Sequence, residues 1–209
     1  MFGDPVVFIA RLPAILIGLT FHEYAHGLAA YYCGDPTAKY AGRLTLNPLA
    51  HLDPIGTLCL LFAPIGWAKP VPVNPYNYRR PSAEYIVSLA GVGTNILIAI
   101  VAGLLVRFLM AVHISLNPTI WMMLFFIIII NIGLAIFNVL PIYPLDGSHV
   151  MQELLPRPYK EDFARLSRYG PIIILVLALS GGLSGILMGP MRFIARIVAG
   201  GEFLSLFGW

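Results

Sequence analysis

Four long runs of apolar residues constrain this chain more than any other feature of its sequence. They cover residues 6–32, 83–110, 118–140 and 171–192. An α-helix needs about 20 consecutive apolar residues to cross the hydrocarbon core of a bilayer, and each run reaches that length. A helix also satisfies its own backbone hydrogen bonds, as a lipid-exposed segment must. The runs therefore predict an all-α polytopic membrane protein with four transmembrane helices.

The overall composition supports that class. Hydrophobic residues make up 58% and charged residues 11% of the 209 residues, and the mean hydropathy is +0.82. Soluble domains average about 25% charged residues. The runs occupy so much of the chain that we expect a single domain, residues 1–209. The net charge of +3 is spread through loops rather than clustered on one face. This argues against nucleic acid as a partner and leaves the lipid bilayer as the expected surroundings.

A fifth apolar segment, residues 54–67, leaves two topologies open. It holds only about 14 residues, including Pro64 and Gly66, and is too short for a comfortable crossing. If it spans, the Lys and Arg residues divide eight to five between the two sides of the membrane. If it enters and returns as a re-entrant segment, they divide nine to four. The second split is the better positive-inside pattern, so we expect four spans plus a re-entrant segment, with the amino terminus outside the cell membrane.

Residues 39–46 are more polar, and their alternating, partly β-branched character is typical of a strand. They follow a break in the sequence at residues 34–36. We expect a short membrane-associated β-hairpin here. Such a strand could accept a further strand along its edge, with Leu44 and Thr45 in binding or supporting positions.

The first run carries ionisable residues that a bilayer strongly penalises, in the sequence H-E-Y-A-H: His22, Glu23 and His26. On an α-helix the i, i+4 spacing points both imidazoles the same way, about 6 Å apart, which suits one tetrahedral zinc ion. Glu23 lies about 100° round the helix from His22. The histidines lie about 24 Å along the run, near its cytoplasmic end. The pattern predicts two metal ligands inside a membrane helix.

A catalytic zinc site needs a third protein ligand and one open position. Asp146 is the strongest candidate among the residues near the membrane. It follows a helix that Pro141 and Pro144 break, and Gly147 after it permits a sharp turn. Only the re-entrant topology places the histidines and Asp146 on the same side, so we expect an active site towards the cytoplasm.

Together, H-E-Y-A-H in the first run and N-V-L-P-I-Y-P-L-D-G from the third resemble the site-2 protease family of intramembrane zinc metalloproteases. The resemblance implies one Zn²⁺ per chain, held by His22, His26 and Asp146. It also implies that Glu23 is the catalytic base and that Asn138 positions substrate or stabilises the oxyanion. The implied activity is hydrolysis of peptide bonds within or near transmembrane segments, which makes a transmembrane protein the expected substrate.

Other segments resemble the compact branch of that family, which lacks PDZ and CBS domains. The segments are G-R-L-T-L-N-P at 42–48, H-L-D-P-I-G at 51–56 and G-W-A-K-P-V-P-V-N-P at 66–75. A-G-V-G-T-N at 90–95 is similar to the family's A-G-P-x-x-N motif, with Val92 in place of proline. This similarity implies a substrate-binding or supporting role for Asn95. The resemblance covers residues 15–150.

Two other functions stay open at this point. Intramembrane His, Glu and Asp side chains also line ion paths in divalent-metal transporters, although transporters usually distribute such ligands over paired broken helices. A catalytically inactive relative could bind membrane proteins without cutting them. At the residue level, Asn95, Asn131 and Asn138 could instead form hydrogen bonds between helices. His149, three residues after Asp146, could approach the metal or could be a solvated interfacial residue.

Overall fold

A computed structural model describes residues 5–62 and 66–209, which form ten α-helices. The four longest are α1 (Pro5–Tyr32), α4 (Ala83–Ala111), α5 (Pro118–Val139) and α9 (Gly182–Ala199). The shorter helices are α2 (Thr37–Tyr40), α3 (Pro54–Phe62), α6 (Asp146–Leu154), α7 (Arg157–Ser167), α8 (Gly170–Leu179) and α10 (Gly201–Ser205).

The four long helices have the length and composition of membrane spans. Each contains at least 18 residues and is apolar enough to cross a bilayer. Local sequence sets their ends, as α5 illustrates. The Asn117 side chain accepts a hydrogen bond from the backbone N–H of Thr119, and Pro118 occupies the first turn. The predictions of an all-α chain and of four spanning helices are confirmed.

The boundaries predicted for the fourth span, residues 171–192, are wrong. The structure divides this segment at Gly181, whose backbone φ is +76°. Glycine adopts this left-handed conformation without steric cost, so α8 ends just before it and α9 begins just after it. The candidate span is therefore α9, which continues to Ala199.

Helices α1, α4 and α5 contact one another, and α9 packs against α4 and α5. The largest hydrophobic cluster lies among α4, α5, α9 and α10 and includes the fully buried Ile128, Ile132 and Phe203. At the end of α9, the guanidinium of Arg107 on α4 donates a hydrogen bond of 2.8 Å to the carbonyl oxygen of Val198. No helical N–H reaches the last carbonyls of a helix, so Arg107 caps α9 and joins its end to that of α4.

The β-hairpin predicted at residues 39–46 is wrong. The segment begins within α2, and the chain then turns without pairing to a second strand. The Leu44 side chain lies against Gly27 of α1. The carbonyl oxygen of Thr45 accepts a hydrogen bond of 2.8 Å from Nε2 of His51. These local contacts engage groups that a paired strand would have used. They explain why the alternating pattern at residues 39–46 does not form the predicted hairpin.

The residues on either side of the short apolar segment lie close together. Its helix, α3, has nine residues, or about 14 Å, against about 30 Å of hydrocarbon in a bilayer. Leu52 and Ala68 form an isolated antiparallel bridge. The N–H of Lys69 donates a hydrogen bond of 2.9 Å to the carbonyl of His51. Residues 63–65 of the segment lie outside the described part of the chain.

Asp35 holds the loop between α3 and α4 against the end of α1. Its fully buried carboxylate accepts hydrogen bonds from the Asn74 N–H (2.6 Å), the Asn77 side chain (2.8 Å) and the Thr37 N–H (3.1 Å). Burial acts to raise the pKa of Asp35, but these hydrogen bonds outweigh it and lower the pKa below its ordinary value. The loop is thus fixed beside the helix that carries the two histidines.

Candidate active site

Three potential metal ligands converge where α1 meets the start of α6. Nε2 of His22 lies 3.0 Å from Nε2 of His26, and each lies 3.3 Å from Oδ2 of Asp146. The two imidazole rings meet edge to face, with centroids 4.6 Å apart. The three side chains are 8%, 12% and 18% exposed. The structure therefore brings together, in a nearly dry cluster, the histidines and the carboxylate that the sequence singled out.

The elbow between α5 and α6 carries Asp146 to this position. Helix α5 ends at Val139, and the chain turns through Pro141 and Pro144 before Asp146 opens α6. Gly147 approaches the carbonyl oxygen of Val139 so closely that a β-carbon would collide with it. Only glycine therefore lets the elbow close and turn the carboxylate towards α1.

Hydrogen bonds fix which nitrogen of each imidazole faces the cluster. Nδ1 of His26 lies 2.7 Å from the carbonyl oxygen of Val87 on α4. A carbonyl only accepts, so Nδ1 of His26 carries the proton. Nδ1 of His22 lies 2.6 Å from Oδ1 of Asn95, whose amide nitrogen donates to the carbonyl of Gly18 at 3.1 Å. Nδ1 of His22 therefore donates as well, and both Nε2 atoms present lone pairs to the cluster.

With both imidazoles neutral, the cluster gathers three acceptors and no donor. Oδ2 of Asp146 is buried and, although it lies 3.3 Å from both imidazoles, receives no hydrogen bond. Two unprotonated nitrogens at 3.0 Å repel each other unless a cation joins them. Zinc bonds of about 2.0–2.1 Å in a tetrahedral site separate neighbouring ligand atoms by about 3.3 Å. The spacing of His22, His26 and Asp146 fits that requirement, so the three residues could hold one metal ion.

Glu23 follows His22 on α1 but engages the loop between α3 and α4. Its Oε2 accepts a hydrogen bond of 2.8 Å from the backbone N–H of Val71. Val71 stands between Pro70 and Pro72, which have no N–H, so this donor is the only one that the three residues offer. One oxygen of the Glu23 carboxylate is thereby fixed by the backbone.

The guanidinium of Arg43 binds the same loop through its backbone carbonyls. Its guanidinium donates to the carbonyl oxygens of Lys69 at 2.7 Å and Pro70 at 3.2 Å. Arg43 is itself buried, and its planar fork suits two neighbouring carbonyls. The clamp therefore sets the position of Val71, the next residue, relative to Glu23.

The predicted asparagines take up two different positions. Asn95 is fully buried against His22, so it contacts a candidate ligand rather than an open substrate space. The side-chain amide of Asn138 donates a hydrogen bond of 2.9 Å to the carbonyl of Leu134 in its own helix. Asn138 is thus near the elbow that carries Asp146, and one of its two amide N–H groups is engaged by α5.

Other predicted residues lie beside the site rather than in the cluster. Leu44 packs on α1 at Gly27, one residue after His26. Nδ1 of His149 lies 3.6 Å from Oε1 of Glu84, and the His149 side chain is 42% exposed. His149 therefore lies in a solvated contact between α6 and α4, the simpler of the two interpretations of its sequence position.

Gly91 is a site residue that the sequence did not reveal. A β-carbon at this position of α4 would collide with Nε2 of His26 and lie 2.6 Å from Cε1 of His22. Gly91 belongs to the A-G-V-G-T-N segment, but the segment alone does not say which glycine faces the histidines. That depends on how α4 is rotated against α1.

Comparison with known proteins decides the family. The chain is 38% identical over 174 residues to "Putative zinc metalloprotease YwhC" of Bacillus subtilis, a match that covers 78% of this chain and 77% of that protein. The chain belongs to peptidase family M50. The model of this family matches residues 108–178, the segment that contains Asp146. The resemblance to the site-2 protease family is confirmed.

Two mycobacterial M50-related proteins are more distant. "Putative zinc metalloprotease Rip2" of Mycolicibacterium smegmatis is 27% identical over 183 residues, covering 85% of this chain and 70% of that protein. Rip2 of Mycobacterium tuberculosis is 26% identical over 214 residues, and the match covers 96% of this chain and 81% of the length of Rip2. No solved structure matches the chain.

Proposed function

We propose that this M50 protein is an intramembrane zinc metalloprotease that hydrolyses peptide bonds within or near the transmembrane segments of other membrane proteins. One observation carries the proposal: two imidazole nitrogens and a buried carboxylate oxygen meet within 3.3 Å of one another among apolar helices. Such a group of acceptors is costly in a bilayer unless a cation joins it. The names of the relatives favour zinc as that cation.

His22, His26 and Asp146 would hold the zinc ion. When bound, zinc supplies Lewis acidity, which lowers the pKa of water and polarises a peptide carbonyl. The hydrogen bonds to Val87 and Asn95 keep each imidazole in the form that presents Nε2 to the cluster. Outer contacts of this kind also raise the basicity of the ligand nitrogen.

Glu23 is the proposed general base. It follows His22 directly on α1, and the Val71 N–H engages its Oε2. The other oxygen, Oε1, would take the proton of the attacking water and later return it to the leaving amine. A carboxylate held at one oxygen loses less freedom when it acts, so the loop contact prepares Glu23 for this role.

Asn138 is proposed to hydrogen-bond the substrate carbonyl as negative charge develops on its oxygen. One N–H of its amide donates to the carbonyl of Leu134 at 2.9 Å, so the second N–H is the one that would reach the substrate. A contact to a developing oxyanion is worth about 3 kcal/mol. Asn95, Leu44 and Thr45 are assigned to support, since each is engaged with the protein itself.

The site is proposed to open towards the cytoplasmic side of the cell membrane, where a transmembrane protein substrate would unwind. The bridge between Leu52 and Ala68 supports a re-entrant course for the segment that joins them, because both its ends lie together. With that course, nine of the 13 Lys and Arg residues face the cytoplasm, in agreement with the positive-inside rule.

A cleavage assay tests the proposal. Purified protein with zinc is incubated in liposomes with single-span membrane proteins, beside the Glu23→Gln variant. We expect the parent to cleave and the variant to be at least about 100-fold slower, the usual contribution of a general base. Zinc content should be equal in the two proteins, because Glu23 is not a proposed ligand.

The same liposomes distinguish the other functions. Undiminished cleavage by Glu23→Gln would contradict the role of Glu23. If neither protein cleaves but both carry divalent metal across the bilayer, the transporter interpretation is correct. If neither cleaves nor transports metal but both retain a membrane protein, the chain is a non-catalytic binding protein.

A further inference from the structure

A chain of buried hydrogen bonds runs from His22 into the interior of the helix bundle. Asn95 of α4 accepts from Nδ1 of His22 at 2.6 Å, and its amide nitrogen donates to Oδ1 of Asn131 on α5 at 2.8 Å. The amide nitrogen of Asn131 donates in turn to the carbonyl oxygen of Ile127 at 2.8 Å. Both asparagines are fully buried. The chain therefore connects α1, α4 and α5 without contact with solvent.

Each link of this chain has a fixed direction. The carbonyl of Ile127 only accepts, so Asn131 turns its amide nitrogen towards it and its oxygen towards Asn95. That oxygen requires the amide nitrogen of Asn95, which leaves the oxygen of Asn95 facing His22. A flip of Asn131 would set two amide nitrogens against each other. Together with the carbonyl of Gly18, the backbone of α5 thus determines, through two side chains, which nitrogen of His22 carries the proton.

The surroundings of Asn131 leave no obvious substitute for it. The carbonyl of Gly18 takes one N–H of the Asn95 amide at 3.1 Å, and Asn131 takes the other. Without Asn131, that second N–H would be buried without an acceptor, which favours rotation of the amide away from His22. Helix α1 also approaches closely here, since a β-carbon at Gly18 would lie 3.2 Å from Oδ1 of Asn131.

We propose that Asn131 is a positioning residue of the metal centre. It fixes the amide of Asn95, and Asn95 fixes His22 in the form that binds zinc. The inference rests on the proposed function, because it takes His22 to be a zinc ligand. It differs from a purely structural bond between α4 and α5 in one respect: the effect of Asn131 on zinc passes through Asn95.

Zinc affinity and cobalt spectroscopy test the inference. The dissociation constant for zinc is measured by competition with a chelator, and the coordination of the site by the visible absorption of the cobalt-loaded protein. We expect Asn95→Leu to weaken zinc binding by about 10–100-fold, and Asn131→Leu by about 10-fold with altered cobalt bands. The double variant should bind zinc as Asn95→Leu does, since the two residues act in series.

Two matched variants separate positioning from packing. Asn131→Asp keeps an oxygen facing Asn95 and, as the neutral acid that burial favours, has a hydroxyl that donates to the carbonyl of Ile127, so its zinc affinity should stay close to that of the parent. Ile132→Ala removes a fully buried side chain from the same helix without touching the hydrogen bonds. It should lower the unfolding temperature and leave zinc affinity unchanged. If Asn131→Leu does not fold, Asn131→Ala takes its place, with the same expected loss.

The outcomes distinguish this inference from the proposed function. Equal zinc affinities in the parent and in Asn131→Leu would overturn the inference and leave zinc binding in place. So would additive losses in the double variant, or a loss in Asn131→Asp as large as that in Asn131→Leu. A parent protein that binds no zinc would overturn the proposed function itself, and the inference with it.

Discussion

At the scale of single residues, the site depends on a glycine as much as on its three acceptors. Gly91→Ala would place a methyl group against His22 and His26, so the imidazoles must separate. We expect zinc affinity to fall by more than about 10-fold, because a metal site tolerates only small shifts of its ligands. Gly93→Ala is the matched control: it lies on the same helix and nothing approaches its β-carbon within 4 Å.

Zinc titration of the two variants checks this prediction. Gly93→Ala should bind zinc like the parent. Full zinc affinity in Gly91→Ala would mean that α4 does not lie against the two imidazoles in the way the structure has it.

Some residues of the candidate site could be identified from the sequence, and others could not, for a physical reason. The i, i+4 spacing of His22 and His26 is a property of one helix, and the L-D-G elbow marks Asp146 by its local chemistry. The position of Gly91 against the two imidazoles depends on how α4 is rotated against α1. Nothing in a single segment encodes that rotation.

At the scale of structural elements, the loop between α3 and α4 is held at the site by Arg43. Arg43→Gln loses the fork that binds the carbonyls of Lys69 and Pro70. Val71 then no longer has a fixed distance to Glu23. We expect the cleavage rate at saturating substrate to fall by about 10-fold, equivalent to about 1.4 kcal/mol, with zinc content unchanged.

Arg43→Lys should recover little of that rate, because an ammonium group cannot span two carbonyls as a planar fork does. Lys69→Gln removes a positive charge from the same loop and leaves both carbonyls in place, so it should cleave at the parental rate. Equal losses in Arg43→Gln and Lys69→Gln would point to the charge of the loop rather than to the clamp.

Two elements differ from the sequence-based prediction, one because of contacts with other segments and one because a glycine interrupts it. Residues 39–46 have the alternation of a strand, yet the bond from Thr45 to His51 and the packing of Leu44 on α1 make them a turn. The last apolar run reads as one helix, yet Gly181 breaks it. The three longest runs were predicted correctly because hydrophobic length alone determines them.

At the scale of the whole molecule, the proposed topology makes a prediction that labelling can check. In a chain whose Cys33 and Cys59 are replaced by alanine, Tyr76→Cys and His113→Cys place single thiols in exposed positions of different loops. We expect a membrane-impermeant maleimide to label His113→Cys in intact cells and Tyr76→Cys only in inverted vesicles. Labelling of both from one side would contradict the crossing of α4, which separates the two positions. Tyr40→Cys, an exposed position before α3, should be labelled from the same side as Tyr76→Cys, and labelling of these two from opposite sides would contradict the re-entrant course of the α3 segment.

The central claim is that two imidazoles of α1 and the carboxylate that opens α6 hold one zinc ion between membrane helices. Anomalous X-ray scattering at the zinc absorption edge, from crystals of the purified protein, tests it most directly. We predict a single strong peak per chain, which places a zinc ion within bonding distance of Nε2 of His22, Nε2 of His26 and Oδ2 of Asp146. A peak at another site, or one bonded to the histidines with Asp146 turned away, would contradict the account.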